Sequence, residues 1–277
     1  MNSSRVIQAT GIDDPRIAIY RDLRHRELSK NGNHFVVEGN WVVRRLIESD
    51  YEIESILVQQ HRSDEYAQIV PAEVPIYTLS DTDISQLIGF EFHRGVLACG
   101  VRPQIATIDD FIALPEIPKL SVALLGVSEP ENVGSIFRSA AALGIDHLFV
   151  DRKTIDPFHR RVIRVSMAAV FKHRLFRLDD PLSDLQRLTT STAIRTIAST
   201  LQPPATRLKD LDVNSQPALL IVGNEASGVD TAIQRFASDR VTIPMQLGTD
   251  SLNVAVATAI LMHALADPNA LADPDTA

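Results

Sequence analysis

Cysteine is almost missing from this chain. Its 277 residues contain one, Cys99, so no intramolecular disulfide can form, and its place within the apolar stretch 96–101 marks it as a small buried hydrophobe. No apolar run approaches the roughly 18 residues that span a bilayer, and the first fourteen residues lack the basic-then-apolar layout of a secretory signal. A soluble cytoplasmic protein with no membrane partner is expected. Positive charge is also short: the net charge of −8 argues against a protein that coats nucleic acid nonspecifically, because Lys and Arg contacts to phosphate supply most of such affinity. Three chemical signatures are absent as well. There is no G-x-G-x-x-G fingerprint and no Lys-Ser/Thr ending of a phosphate-cradling loop. The eight histidines are scattered without a spacing such as H-E-x-x-H, so no metal is expected.

What remains is an ordinary apolar fraction of 45%, enough for a real core, and an uneven distribution of charge. Between residues 151 and 177 eight basic side chains (Arg152, Lys153, Arg160, Arg161, Arg164, Lys172, Arg174 and Arg177) face two acidic ones, Asp151 and Asp156. A second group, Arg21, Arg24, His25, Arg26 and Lys30, precedes the first expected strand. Each group reads either as an anion-binding patch or as a solvated face.

Hydrophobic periodicity predicts an α/β chain. Strands at 34–38, 54–59, 76–79 and 95–101, with a helix at 41–48, give a small first domain over 1–103. Pro103, Pro115 and Pro118 punctuate a linker at 104–118. A second domain, 119–267, alternates strands near 120–127, 148–150, 196–199, 218–222 and 240–243 with helices, the pattern of a mostly parallel sheet whose ligands sit in loops after the strands. The Pro-containing acidic end, 268–277, is expected to be a disordered tail.

Three of those loops carry polar residues of interest. After the strand at 120–127, a helix is expected to be capped by Asn132 and ended by Gly144. Arg138 then falls one turn in, where the helix dipole disfavours a cation and an anion such as phosphate would be its partner; an Arg merely exposed on a helix fits equally. The second loop, Gly223-Asn224-Glu225-Ala226-Ser227-Gly228, pairs glycines that let backbone approach a ligand with an acid able to orient a hydroxyl or ammonium group; alone it is also a plain strand-to-helix turn. In the third, Ser251 and Asn253 open an apolar helix with an expected buried stripe of Val254, Ala257, Ile260 and Leu261.

Taken in order, N-x-G-x-x-x-R-x-A-x-x-x-G, G-N-E-x-x-G and I-P-M-x-x-G-x-x-S-L-N-V resemble the three signature segments of the SpoU/TrmH family, in the SPOUT class of RNA methyltransferases. The resemblance covers about 120–266 and includes Asp156-Pro157 and Arg164-Val165-Ser166-Met167; the run Phe35-Val36-Val37-Glu38-Gly39 is similar to the start of the family's accessory RNA-binding domain. It departs at Ala168, where many relatives have glycine, and at Gly248, which stands one place later than in some members.

The resemblance implies a deep trefoil knot in the second domain and methyl transfer from S-adenosylmethionine to a ribose 2′-hydroxyl of structured RNA, ribosomal rather than transfer RNA. It implies Asn132, Arg138, Glu225, Ser251 and Asn253 as catalytic residues, and Leu201, Gly223, Ile243, Met245 and Leu252 as cofactor contacts. It further implies Arg24, Arg26, Arg160, Arg161 and Arg164 at the RNA, and a homodimer whose active sites form across the subunit interface. Two other readings stay open: an RNA-binding protein of the same fold without catalysis, and a dinucleotide-dependent dehydrogenase, which the missing glycine fingerprint disfavours.

Overall fold

The computed structural model describes residues 5–23, 32–91, 95–212 and 216–266. Arg24 and Arg26, and the tail 268–277, lie outside the described residues. In chain order the elements are β1 (Val6–Gln8), β2 (His34–Glu38), α1 (Asn40–Ile47), β3 (Ile53–Gln59), α2 (Ser63–Ile69), β4 (Ile76–Leu79), α3 (Asp81–Ile88) and β5 (Val96–Val101). Then come α4 (Ile108–Ile112), β6 (Leu120–Leu125), α5 (Pro130–Ala142), β7 (His147–Asp151), α6 (Arg160–Val165), β8 (Arg174–Leu178), α7 (Pro181–Ser191) and β9 (Arg195–Ser199). Last are β10 (Thr206–Arg207), β11 (Ala218–Gly223), α8 (Thr231–Phe236), β12 (Asp239–Thr242) and α9 (Val254–Leu265).

Two compact units divide the chain. One holds the residues up to Gln104 together with Asp156–Phe171; the other holds Ile105–Ile155 and the chain from Lys172 onward. The first unit is a five-stranded sheet in the order β1-β4-β3-β5-β2, parallel between β1, β4 and β3 and antiparallel where β5 joins β3 and β2. Segment 156–171 packs here because of its aromatic residues. Phe158 and Phe171 lie 5.2 and 5.7 Å from the ring of Phe35 on β2, and Tyr51 closes the cluster. Asp156 receives both ends of the Arg102 guanidinium at 2.7 Å, a bidentate pair with both side chains nearly buried.

The second unit is a seven-stranded sheet in the order β10-β12-β9-β11-β6-β7-β8, every neighbouring pair parallel. Parallel strands covered on both faces read as unbroken apolar runs, and Leu120–Leu125 and Ala218–Gly223 are buried at every position.

Several expectations need correction. The stretch 104–118 is no linker: Thr107 and Asp110 form a capping box for α4, and Phe111, fully buried, stacks edge-on against Phe149 and Phe176. Residues 156–171 pack with the first unit rather than the second, so the basic run at 151–177 is divided. Much of it is neutralised within each unit: Arg152 and Arg177 meet at Asp179, while Arg160 and Arg164 both reach Glu38.

Three short strands, β1, β8 and β10, were not expected. Helix α5 begins at Pro130, so Asn132 is inside its first turn instead of capping it, and Arg138 is more than halfway along its thirteen residues, where the dipole argument no longer applies. On α9 the buried face is Ala255, Thr258, Leu261 and Met262, while Ile260 is 40% exposed.

Candidate active site

Three loops at the carboxyl ends of adjacent strands enclose a cavity of about 320 Å³ in the second unit. Leu201 follows β9, Gly223 and Glu225 follow β11, and Ile243, Met245, Ser251 and Leu252 follow β12; all of them line it. The volume is that of a small-molecule pocket, and carboxyl-end loops are where parallel sheets hold ligands. All five residues expected at a cofactor are therefore gathered around one cavity.

The floor is set by glycine. A Cβ on Gly223 would lie 2.2 Å from the carbonyl carbon of Gly228 and 2.3 Å from the nitrogen of Val229, so only glycine lets the loop 223–228 close this tightly. Asn224 holds the closure. Its Oδ1 accepts from the backbone of Ala226 and Ser227 at 3.0 and 3.1 Å, and its Nδ2 donates to the carbonyl of Gly126 at 2.8 Å. Gly126 in turn donates to Asp151 and Thr154, which anchors the turn after β6. Asn224 stands within the G-N-E-x-x-G motif but was given no role from sequence, and Asp151 and Thr154 were missed, because bonds to distant backbone leave no local pattern.

Beside the cavity runs a chain of side-chain hydrogen bonds linking all three signature segments. Asn253 caps α9, its Oδ1 accepting from Ala255 and Val256, and its Nδ2 donates to Asn132 Oδ1 at 2.8 Å. Asn132 Nδ2 donates onward to Glu225 Oε1 at 2.9 Å. That carboxylate also accepts from the backbone of Ser128 and Glu129, the Ser128 hydroxyl and Asn224 Nδ2, at 3.2–3.4 Å. Partial burial pushes the Glu225 carboxyl up, but the bonds from Asn132 and from the backbone at Glu129 and Ser128 outweigh it and hold it below the usual range for glutamate. With these donors around it, the Glu225 carboxylate ties the loops together.

Of the five residues expected to be catalytic, Asn132, Glu225 and Asn253 are bonded together and Ser251 lines the cavity. Arg138 is not among them: it is exposed on α5 and has no hydrogen-bond or ion-pair partner among the described residues. Arg160, Arg161 and Arg164 lie in the first unit. Arg160 is engaged with Glu38, the carbonyl of Leu23 and the ring of Phe90. Arg164 is 41% exposed at its side chain.

A family model described as the SpoU rRNA Methylase family matches residues 119–263. The chain is 34% identical over 259 residues to an uncharacterized tRNA/rRNA methyltransferase of Mycobacterium tuberculosis, covering 91% of this chain and 88% of the relative. It is 25% identical over 264 residues to a 23S rRNA guanosine 2′-O-methyltransferase of Bacillus subtilis, covering 93% and 98%. Among solved structures, an AdoMet-bound rRNA methyltransferase from Sinorhizobium meliloti shares the fold, with a TM-score of 0.80 and 24% identity over 95% of this chain and 98% of the other.

Proposed function

The chain belongs to the SpoU rRNA methylase family, and from that premise we propose that it transfers a methyl group from S-adenosylmethionine to a ribose 2′-hydroxyl of RNA, ribosomal RNA in the first instance. The observation that carries this reading is the bond chain Asn253–Asn132–Glu225 beside the glycine-floored cavity. The name of the Bacillus relative supports the 2′-oxygen and the ribosomal substrate, and the cofactor held by the Sinorhizobium structure supports the donor.

The cavity suits a nucleoside with an amino-acid tail. Leu201, Ile243, Met245 and Leu252 give it apolar walls, and the Gly223–Gly228 closure leaves backbone within reach of a ligand where any larger residue would intrude. When bound, S-adenosylmethionine supplies a methyl carried by a positively charged sulfur. Transfer would join that carbon to the ribose oxygen as its bond to sulfur breaks, the hydroxyl proton passing to solvent water. The protein's task is alignment. Asn132 and Asn253 fix the helix starts on either side of the cavity, and Glu225 pins the loop 126–130 to the loop 223–228. Ser251 offers a hydroxyl at the rim.

The planar guanidinium fork of Arg138 suits it to clamp the phosphate next to the target and stabilise charge growing on the oxygen. Lacking a partner of its own among the described residues, it is assigned to a site completed in a homodimer. The exposed apolar residues Val256 and Ile260 on α9, a helix apolar on nearly every side, and the fully exposed Leu247 supply a face for such a partner. On the same reading, the passage of the chain through β9, β11 and β12 is tied as a deep trefoil knot, the first unit is an accessory RNA-binding domain, and the protein works in the cytoplasm without a metal.

Arg138→Lys keeps the charge and loses the planar fork. Turnover should fall about 100-fold while affinity for S-adenosylmethionine, measured by calorimetry, stays within about two-fold by the same principle of stabilisation confined to the transition state. Near-normal turnover would remove Arg138 from the mechanism.

A further inference from the structure

The single tryptophan of the chain, Trp41, is 68% exposed at the start of α1 in the first unit. A solvated indole of that size is poorly explained by folding, whereas Phe35 and Tyr66 of the same unit are buried. Arg45, one turn along the same helix face, is exposed and donates to the carbonyl of Met167 just beyond α6. Glu38, three residues before Trp41 and 5% exposed, accepts from Arg160 at 2.6 Å, with Arg164 at 3.6 Å. The acid is buried at this ion pair while the two arginine side chains stay 31% and 41% exposed, so two guanidinium groups share one carboxylate. Helix α1 also opens at Gly39 with no side chain capping its first amides.

We propose that Trp41 is a stacking platform for an unpaired base of the RNA, with Arg45 and Arg164 taking the phosphates on either side of it. An exposed aromatic set among arginines is the combination that holds single-stranded nucleic acid: the ring offers a face to any base and the cations follow the backbone. A duplex offers no free base face, so the platform selects a loop or bulge. This assignment rests on the RNA reading above and adds to it a residue of the first unit and a structural class of RNA. A second copy of this chain is the other occupant an exposed indole could have, and the exposed guanidinium of Arg45 one turn away favours a phosphate-bearing partner over it.

Because Trp41 is the only tryptophan, its emission reports on this site alone. The full chain is titrated with end-labelled ribosomal RNA transcripts containing loops and, separately, with a fully paired RNA of matched length, following Trp41 emission and label anisotropy together. The proposal predicts quenching of Trp41 by the looped RNA with the same midpoint as the anisotropy, and little quenching by the duplex. Trp41→Ala should weaken binding of the looped RNA about ten-fold, Trp41→Phe should restore most of it, and both should keep wild-type affinity for S-adenosylmethionine. RNA that binds and is methylated while Trp41 emission and the Trp41→Ala affinity stay unchanged would overturn the platform and leave the methyltransferase reading standing. Equal quenching by the duplex would also overturn it. Absence of both RNA binding and methyl transfer would overturn the enzyme reading and the platform with it.

Discussion

Asn132 sits where two segments of the site meet, giving a hydrogen bond to Glu225 and taking one from Asn253. Asn132→Asp would set a second carboxylate against Glu225 and break the chain at that end, while the carboxylate could still accept from Asn253. Turnover should fall about 100-fold, as misplacement of groups near a reacting centre does, with little change in cofactor affinity; steady-state kinetics and calorimetry separate the two. Glu225 itself should leave a pH signature. Its folded-state pKa is depressed, so its contribution to stability is complete above the ordinary glutamate value of about 4.3 and is lost as pH falls towards the lower folded value. Urea unfolding should show wild type more stable than Glu225→Gln at neutral pH, with the gap closing in acid; a gap that widened in acid would contradict the assignment.

Four residues other than glycine have positive φ among the described residues: Asp22, Met167, Ala168 and Leu247. Ala168 has φ 63° and Leu247 has φ 56°. Leu247 is fully exposed, so Leu247→Asn loses no burial within the chain and should raise unfolding free energy by about 1 kcal/mol. A clear loss in a chemical-denaturation curve would mean that the leucine is packed against a partner.

Among the elements, the strand-to-helix loop after β11 bears the tightest constraint. Gly223→Ala would drive a methyl into the backbone of Gly228, and the loop must shift. Affinity for S-adenosylmethionine should drop at least ten-fold and stability by about 1–3 kcal/mol, the usual scale for overpacking; unchanged affinity by calorimetry would contradict the cavity assignment.

Element legibility followed the apolar patterning. Strands β6 and β11 stand out as unbroken apolar runs, and β2 as a β-branched one, and the glycine-bounded turn at 223–228 announces itself. Strand β8 alternates Arg174 and Arg177 with apolar residues inside a basic run, so charge masked it. Helix α4 is five residues long between prolines, too short for periodicity to show. Segment 156–171 joins the first unit through ring contacts between residues over a hundred positions apart, which no local pattern records. The site was legible at its three motifs, while the bond chain joining them, and the roles of Asn224 and Asp151, depend on distances set only by folding.

For the whole molecule, the polar centre and the apolar face of α9 make a joint claim. Helix α9 has mean hydropathy too high for a solvent-facing helix and leaves Val256 and Ile260 in the open. Val256→Glu combined with Ile260→Glu should convert a dimer into monomers on a sizing column with light scattering and abolish transfer, while the monomer's own thermal unfolding stays cooperative. A wild-type protein that runs as a monomer at assay concentration and is fully active would place Arg138 in a site of its own chain.

The most direct test of the account incubates the protein with unmodified ribosomal RNA and methyl-labelled S-adenosylmethionine, hydrolyses the RNA in alkali and separates the products. A methyl on the 2′-oxygen blocks cleavage at that linkage, so the account predicts label in alkali-resistant dinucleotides, lost in Asn132→Asp. Label recovered in mononucleotides carrying a methylated base, or in no RNA, would contradict it.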